Sequence, residues 1–224
     1  MSICNAICAM KKNIMKNKLV CKTENRREFI LEVAKEMFST HGFHNTSIRD
    51  IARAVDMNTS MVSYYFQNKE NLLAEILDRI ANDLCNLICT VQLKPNFREQ
   101  LMALVQESTA YFCSAPDNLR LLLQSLIIEV SHSVFQKSRR IVFMFQKFFI
   151  DIIDNGKIDG YFSTKEESIM LYHFFLGTVN NALQNLEITG ADNKECHQVK
   201  NRVNLFIIKG LSYYLDCDLI YLAH

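Results

Sequence analysis

The chain has little to break a helix with. Six glycines and two prolines are spread over 224 residues, too few for many short strands joined by tight turns, so long helices are expected. No run reaches the eighteen or so uncharged apolar residues of a membrane span, although 49% of residues are hydrophobic. A Gly-rich phosphate loop, a nucleophile elbow, His-Glu-x-x-His and paired carboxylates are all missing. No catalytic residue can be named, and the expectation is that the protein is not an enzyme. The eight cysteines (4, 8, 21, 85, 89, 113, 196 and 217) form no Cys-x-x-Cys pair and no Cys/His cluster with zinc spacing. Glu129 and His132, three apart, are too few to hold an ion, so neither metal nor cofactor is expected. With no secretory signal, the thiols read as reduced and the location as cytoplasmic. Cys85 and Cys89, one helical turn apart, are expected to be small buried hydrophobes.

What is present can bury a large core in one or two domains. The net charge of +1 conceals an asymmetry. Residues 1–70 carry 11 Lys/Arg and 7 Asp/Glu, whereas residues 71–224 carry 14 and 17. A basic amino-terminal part on an acidic body suits a nucleic-acid reader joined to a separate domain. Residues 1–22, with Lys11, Lys12, Lys16, Lys18 and Lys22, show no amphipathic period and read as a disordered basic leader. Helical spacing then predicts an all-α chain, with helices over 23–40, 68–92, 97–114, 117–131, 134–154, 164–185 and 195–214. Asn155-Gly156 closes the fifth of these, and residues 157–160 form a turn. Residues 216–224 carry no assignment.

Two shorter helices lie between the first and second of these. Ser47 can cap a helix, and Asp50 three residues on completes a capping-box-like pair. Ile48, Ile51, Ala52 and Val55 make one apolar face. Asp56-Met57-Asn58 breaks the pattern, and Asn58 can cap the next helix. Met61, Val62 and Phe66 give that helix a buried side, leaving Thr59, Ser60, Ser63, Tyr64 and Tyr65 as small or hydrogen-bonding groups. A short polar helix braced across a three-residue turn has the form of a helix-turn-helix reader. Its leading end, Thr59, Ser60 and Met61, can approach base edges in a major groove.

Thr46-Ser47-Ile48, Ile51-Ala52-x-Ala54, Tyr64-Tyr65-Phe66 and Lys69-Glu70-x-Leu72 together resemble the signature of the TetR family of bacterial repressors. The upstream Ile30-Leu31-x-Val33-Ala34-x-x-Met37-Phe38 and His41-Gly42-Phe43 are similar to that family's first helix and exit turn. The likeness covers roughly residues 24 to 76. It implies a DNA-binding domain over 23–70 and a helical regulatory and dimerisation domain over 71–224. It places Tyr64 and Tyr65 at phosphate or base, Lys69 at a phosphate and Arg49 within reach of a base; Thr46 and Ser47 could bond a phosphate. Two departures stand out: Ser63 where Tyr is frequent, and Asp56 where Gly is usual in the turn.

One short helix reads few base pairs, so a homodimer on a palindromic operator is expected. Gly177 and Gly210 sit inside the last two long helices, where Gly costs about 1 kcal/mol against Ala and a close helix approach would explain it. Around them Met170, Phe174, Thr178 and Asn181 on one helix, with Val203, Phe206, Ile207 and Leu211 on the other, form the expected dimer face. The resemblance also implies a pocket for a small apolar effector. Its candidate walls are Cys89, Tyr111, Phe112 and Phe143, with Met144, Phe148, His173 and Asn180. The expected function is a repressor released by that ligand. Two alternatives stay open: a protein-binding helical module, and a repressor controlled by thiol oxidation.

Overall fold

A computed structural model describes residues 23–189, 193–217 and 219; the predicted basic leader lies outside them. Among the described residues there are helices and no strand. They are α1 (Thr23–His41), α2 (Ile48–Ala54), α3 (Thr59–Phe66), α4 (Lys69–Gln92), α5 (Phe97–Ser114), α6 (Pro116–Gln124), α7 (His132–Ile158), α8 (Ser168–Thr189) and α9 (Asn193–Tyr214).

Local chemistry accounts for most of the helix ends. Gly42, at φ +84°, stops α1 in the left-handed conformation that glycine adopts without strain. Asn58, Asn68 and Asn96 each accept a hydrogen bond from a first-turn amide, capping α3, α4 and α5. Pro116 opens α6, where its missing N–H costs nothing.

Three of the boundaries that differ from the sequence reading have a visible local cause. The helix starting at Pro116 ends at Gln124 rather than near Ser131. Ser125 is buried there; its hydroxyl donates to the Leu122 carbonyl at 2.8 Å and lies 2.7 Å from the Ser138 hydroxyl on α7. Asn155-Gly156 does not close α7, which runs on to Ile158. Gly156 instead serves a close approach: a Cβ there would sit 2.3 Å from the Phe162 ring and 3.2 Å from Phe97 Cβ. The left-handed residue that turns the chain is Gly160. Finally, α8 begins at Ser168 rather than Thr164, because residues 163–167 are held as a loop. Ser163 N–H donates to the Leu215 carbonyl, Glu166 N–H to the Thr164 hydroxyl, and Lys157 Nζ to the Glu166 carbonyl.

α1, α2 and α3 pack around Phe38, Phe43, Ile51, Val62 and Phe66, all buried. The body, α5 to α9, closes on an aromatic stack running from Phe112 through Phe145, Phe175 and Phe149 to Tyr172, with centroid separations of 5.3–6.4 Å. The 24-residue α4 is a rod of roughly 36 Å that touches both parts. Ion pairs fix it on two sides. Arg27 and Glu28 of α1 pair with Glu75 and Arg79 of α4, and Lys137 of α7 reaches both oxygens of Asp78 at 2.6 Å. α1 also meets α6 directly, with the Ser39 hydroxyl donating to Asp117 Oδ1 at 2.5 Å.

Candidate nucleic-acid interface

Helices of seven and eight residues, such as α2 and α3, do not stand alone in water; caps and tertiary packing must hold them. At α2 the cap is a full box. The Asp50 amide donates to Ser47 Oγ, and Asp50 Oδ2 accepts from the Ser47 amide and hydroxyl. The Ser47 hydroxyl, with smaller help from its amide and Arg53, holds the Asp50 carboxyl below its ordinary range against a modest desolvation. The turn to α3 passes through Asp56 at φ +57°, the backbone expected to favour glycine, which Asp tolerates. Asn58 Oδ1 then accepts the Ser60 amide at 2.9 Å.

Val62 and Phe66 anchor α3, and the Arg27 guanidinium lies 5.0 Å over the Phe66 ring. The opposite side of α3 faces outward. Tyr64 is 83% exposed; Thr59, Ser60 and Met61 are exposed, and Ser63 and Tyr65 half-buried. The Tyr64 and Tyr65 rings meet edge-on at 5.6 Å. Met61 thus belongs to the outer face and is not part of the buried side. Arg49 on α2 and its N-cap Ser47 are exposed as well. The result is a narrow polar ridge with hydroxyl, methyl and thioether groups facing out.

Two residues expected at this surface are committed elsewhere. Thr46 is 1% exposed, and its hydroxyl donates to the Gly42 carbonyl at 2.9 Å with the Met37 carbonyl 3.3 Å away. No phosphate can reach that hydroxyl. Lys69 Nζ sits 4.4 Å over the Phe43 ring and donates to the Phe43 carbonyl at 2.9 Å, with the Thr46 and His44 carbonyls at 3.4 and 3.5 Å. The ammonium therefore closes the α1–α2 turn instead of projecting into solvent, because three carbonyls converge where its stem ends. A residue that sequence reasoning passed over is Gln67, at φ +64° and ψ −57°, with the Asn68 amide 2.7 Å from the Phe66 carbonyl. This is a strained γ-turn joining the outer helix to α4, and no residue-type signal marks it.

The expected effector walls do not meet around one cavity. Phe143 is 61% exposed on α7, and Cys89 and His173 are exposed too. Cys85 is likewise exposed, so neither thiol of the pair is the buried hydrophobe expected. Phe112 is filled core; Tyr111 donates to Asp83 Oδ2 at 3.0 Å and accepts from Asn118 Nδ2 at 2.8 Å. Burial chiefly, with Asp83 beside it, pushes the Tyr111 hydroxyl far above the usual phenol range. Phe148 and Asn180 are half-buried, and Met144 lines an open cleft of about 590 Å³ between α4 and α7.

On the expected dimer face, Ile207 and Leu211 are fully buried within their own chain. The packing of α9 turns them inward, while Val203 on the same stripe is half-buried and Phe206 faces outward. Gly210 makes its close approach inside the chain, since a Cβ there would meet the Phe174 ring at 2.5 Å. Gly177 faces open space. With Thr178, Asn181, Val203 and Phe206 it lines a cleft of about 610 Å³ between α8 and α9, and Met170 and Phe206 are more than half exposed.

Residues 30–76, the span holding α2, α3 and this ridge, match the family described as bacterial regulatory proteins, tetR family. Over that stretch the chain is similar to the TetR family. It is 32% identical over 89 residues to the probable HTH-type transcriptional regulator YttP of Bacillus subtilis (strain 168), covering 38% of this chain and 42% of that protein. The match thus spans less than half of that relative. Its fold resembles the ketosteroid transcriptional regulator KstR2 of Mycobacterium tuberculosis, with TM-score 0.72 and 21% identity over 86% of this chain and 98% of that one. It also resembles the regulator FadR of Bacillus subtilis in complex with stearoyl-CoA, with TM-score 0.62 and 15% identity over 81% and 97%.

Proposed function

We propose that the chain is a DNA-binding transcriptional regulator, acting as a homodimer on a two-fold operator and repressing until a small molecule binds its body. The observation that carries this reading is the orientation of α3: Val62 and Phe66 hold it down while Tyr64, Thr59, Ser60 and Met61 point away from the protein. A helix of that width fits a major groove. Specificity would rest on hydroxyl, methyl and water-mediated contacts plus Arg49, because α3 carries no Lys or Arg. With Lys69 turned inward, few phosphates are neutralised per subunit, and pairing two readers roughly 34–36 Å apart supplies the missing affinity. The outward side of α8 and α9, with Met170, Val203 and Phe206, is the surface we assign to that pairing.

For the effector, the names of the structural neighbours favour a largely apolar molecule of steroid or acyl type. In this chain the Phe112–Tyr172 stack fills the body, so such a ligand would part packed rings rather than enter a void. Differential affinity for the parted state is all the energy that a shift in α4 requires. The test is to select bound fragments from the source genome and measure their affinity against salt. Two-fold sites bound with a log–log salt slope of a few units, and at least tenfold weaker binding by Tyr64→Ala with unchanged melting, are expected. A monomer that ignores duplex DNA at low salt would sink the reading.

A further inference from the structure

Cys85 and Cys89 are both exposed on α4 and lie one helical turn apart. Side chains so spaced have Cβ atoms about 5–6 Å apart, whereas a disulfide needs about 3.5–4.5 Å. Direct closure would have to distort an unbroken 24-residue helix. One atom placed between the sulfurs removes that mismatch. A third sulfur is already present: Met144 Sδ, from α7, is 3.4 Å from Cys85 Sγ. Three sulfurs around one ion at about 2.3 Å each stand about 4 Å apart in a trigonal plane, close to the Cys85–Met144 separation, and Cys89 one turn on must swing toward them to complete the set.

We propose that Cys85, Cys89 and Met144 form a binding site for a soft monovalent metal ion of the copper(I) class, bridging α4 and α7. Two thiolates and a thioether are the ligand set that selects copper(I) over harder ions. A tetrahedral zinc site would need a further nitrogen, oxygen or sulfur ligand. No group of three or more His, Cys, Asp or Glu suited to a metal converges among the described residues. Binding converts M⁺ and two thiols into a monoanionic dithiolate complex and two released protons, so affinity rises with pH. Arg140, one turn before Met144 on α7 and lining the same cleft, stands ready to offset the residual negative charge. The inference rests on these sulfurs alone and holds whether or not the chain reads DNA.

The test titrates copper(I) anaerobically into the reduced full chain in competition with a chromophoric copper(I) chelator, with zinc(II) as the comparison. One equivalent per chain is expected to weaken at least 100-fold in Cys85→Ser and in Cys89→Ser, and about tenfold in Met144→Leu. Cys113→Ser leaves it unchanged. Copper-edge absorption should count three sulfur scatterers, falling to two in Met144→Leu. In the unmutated protein, bound copper(I) should protect Cys85 and Cys89 from alkylation, a readout that does not depend on any variant folding. Wild-type affinity in either serine variant, no effect of Met144→Leu, tighter zinc than copper(I), or protection confined to other cysteines would each overturn the proposal.

Discussion

The two ends of α4 serve regions built by different means. At its amino end, α2 and α3 total fifteen residues and hold their shape through caps, a three-residue turn and a few buried anchors. At its carboxyl end, helices of up to 27 residues close on stacked aromatic rings drawn from α5, α7 and α8. The small region keeps its outward residues, Thr59, Ser60, Met61 and Tyr64, outside its own support, so they can change without touching the fold. The body has no such separation. Its rings are core, and under the proposed function they are also what a ligand would displace. On that proposal the reader stays rigid while the body is strained by use, and α4 would carry the difference between them.

The largest expected effects come from removing an anchor in each region. Phe149→Ala and Phe66→Ala should each cost roughly 3–5 kcal/mol, the range for a deleted buried Phe. Urea unfolding measures the loss. Phe66→Ala should also abolish DNA binding, while Phe149→Ala leaves residual binding in whatever fraction stays folded. Equal loss of binding per folded molecule in both variants would erase the distinction between the regions.

Next in size is Lys69→Met, which separates two roles for one ammonium. As the clasp of the α1–α2 turn it makes charge-assisted bonds to carbonyls, so its loss should destabilise the chain by about 1.5–3 kcal/mol. A phosphate-binding role instead predicts unchanged stability and a salt slope lower by about one unit. Thermal melting and binding against salt, on the same sample, tell which role it has.

Legibility in the sequence divides along the same line. Ser47 with Asp50, Asn58, Asn68, Gly42 and the left-handed Asp56 act on neighbours within four residues, so their residue types and spacing carry the signal. Lys69 reaches back 26 residues to Phe43, and Arg27 reaches 48 forward to Glu75. No local pattern encodes such contacts. Gly156 shows the same limit from the other side. Asn-Gly ordinarily reads as a helix stop, yet the Phe162 ring folding onto it makes the residue a spacer within the last turn of α7. Ile207 and Leu211 lie on helical spacing with Val203, but only the packing of α9 on α5 and α8 decides which of them faces inward.

A smaller effect tests the seam between reader and rod. Gln67 holds a positive φ that a side chain adopts at a cost, and a conformation of this kind stores roughly 1–3 kcal/mol of strain. Glycine relieves it but loses more freedom on folding, so Gln67→Gly should raise stability by about 1 kcal/mol or less. Urea midpoints at constant slope would register it. A loss of stability would mean that the Gln67 side chain, 3.3 Å from Asn71 Nδ2, outweighs the backbone strain.

The smallest expected effect distinguishes the reader from its joint with the body through two carboxyls shifted in opposite directions. Asp50, held below its ordinary value of 3.8 mainly by the Ser47 hydroxyl, contributes stability above that value and loses it as pH falls through the lowered folded value. Glu36, near the α1–α6 contact, is raised above 4.5 by burial first and by Asp117 second, with His41 opposing. Its sign is reversed: the folded chain tolerates the charged form poorly, and the penalty is relieved as pH falls through the raised value. Neither group is fully buried, so solvent screens each contribution, which should stay below about 1 kcal/mol. Asp50→Asn should therefore destabilise at pH 7, the difference fading as pH falls through the lowered carboxyl value. Glu36→Gln should stabilise at pH 7, the difference fading as pH falls through the raised one. Chemical melts of the two variants across pH 3–7 must diverge from the parent in opposite directions; curves that move together would mean that neither carboxyl senses its own region.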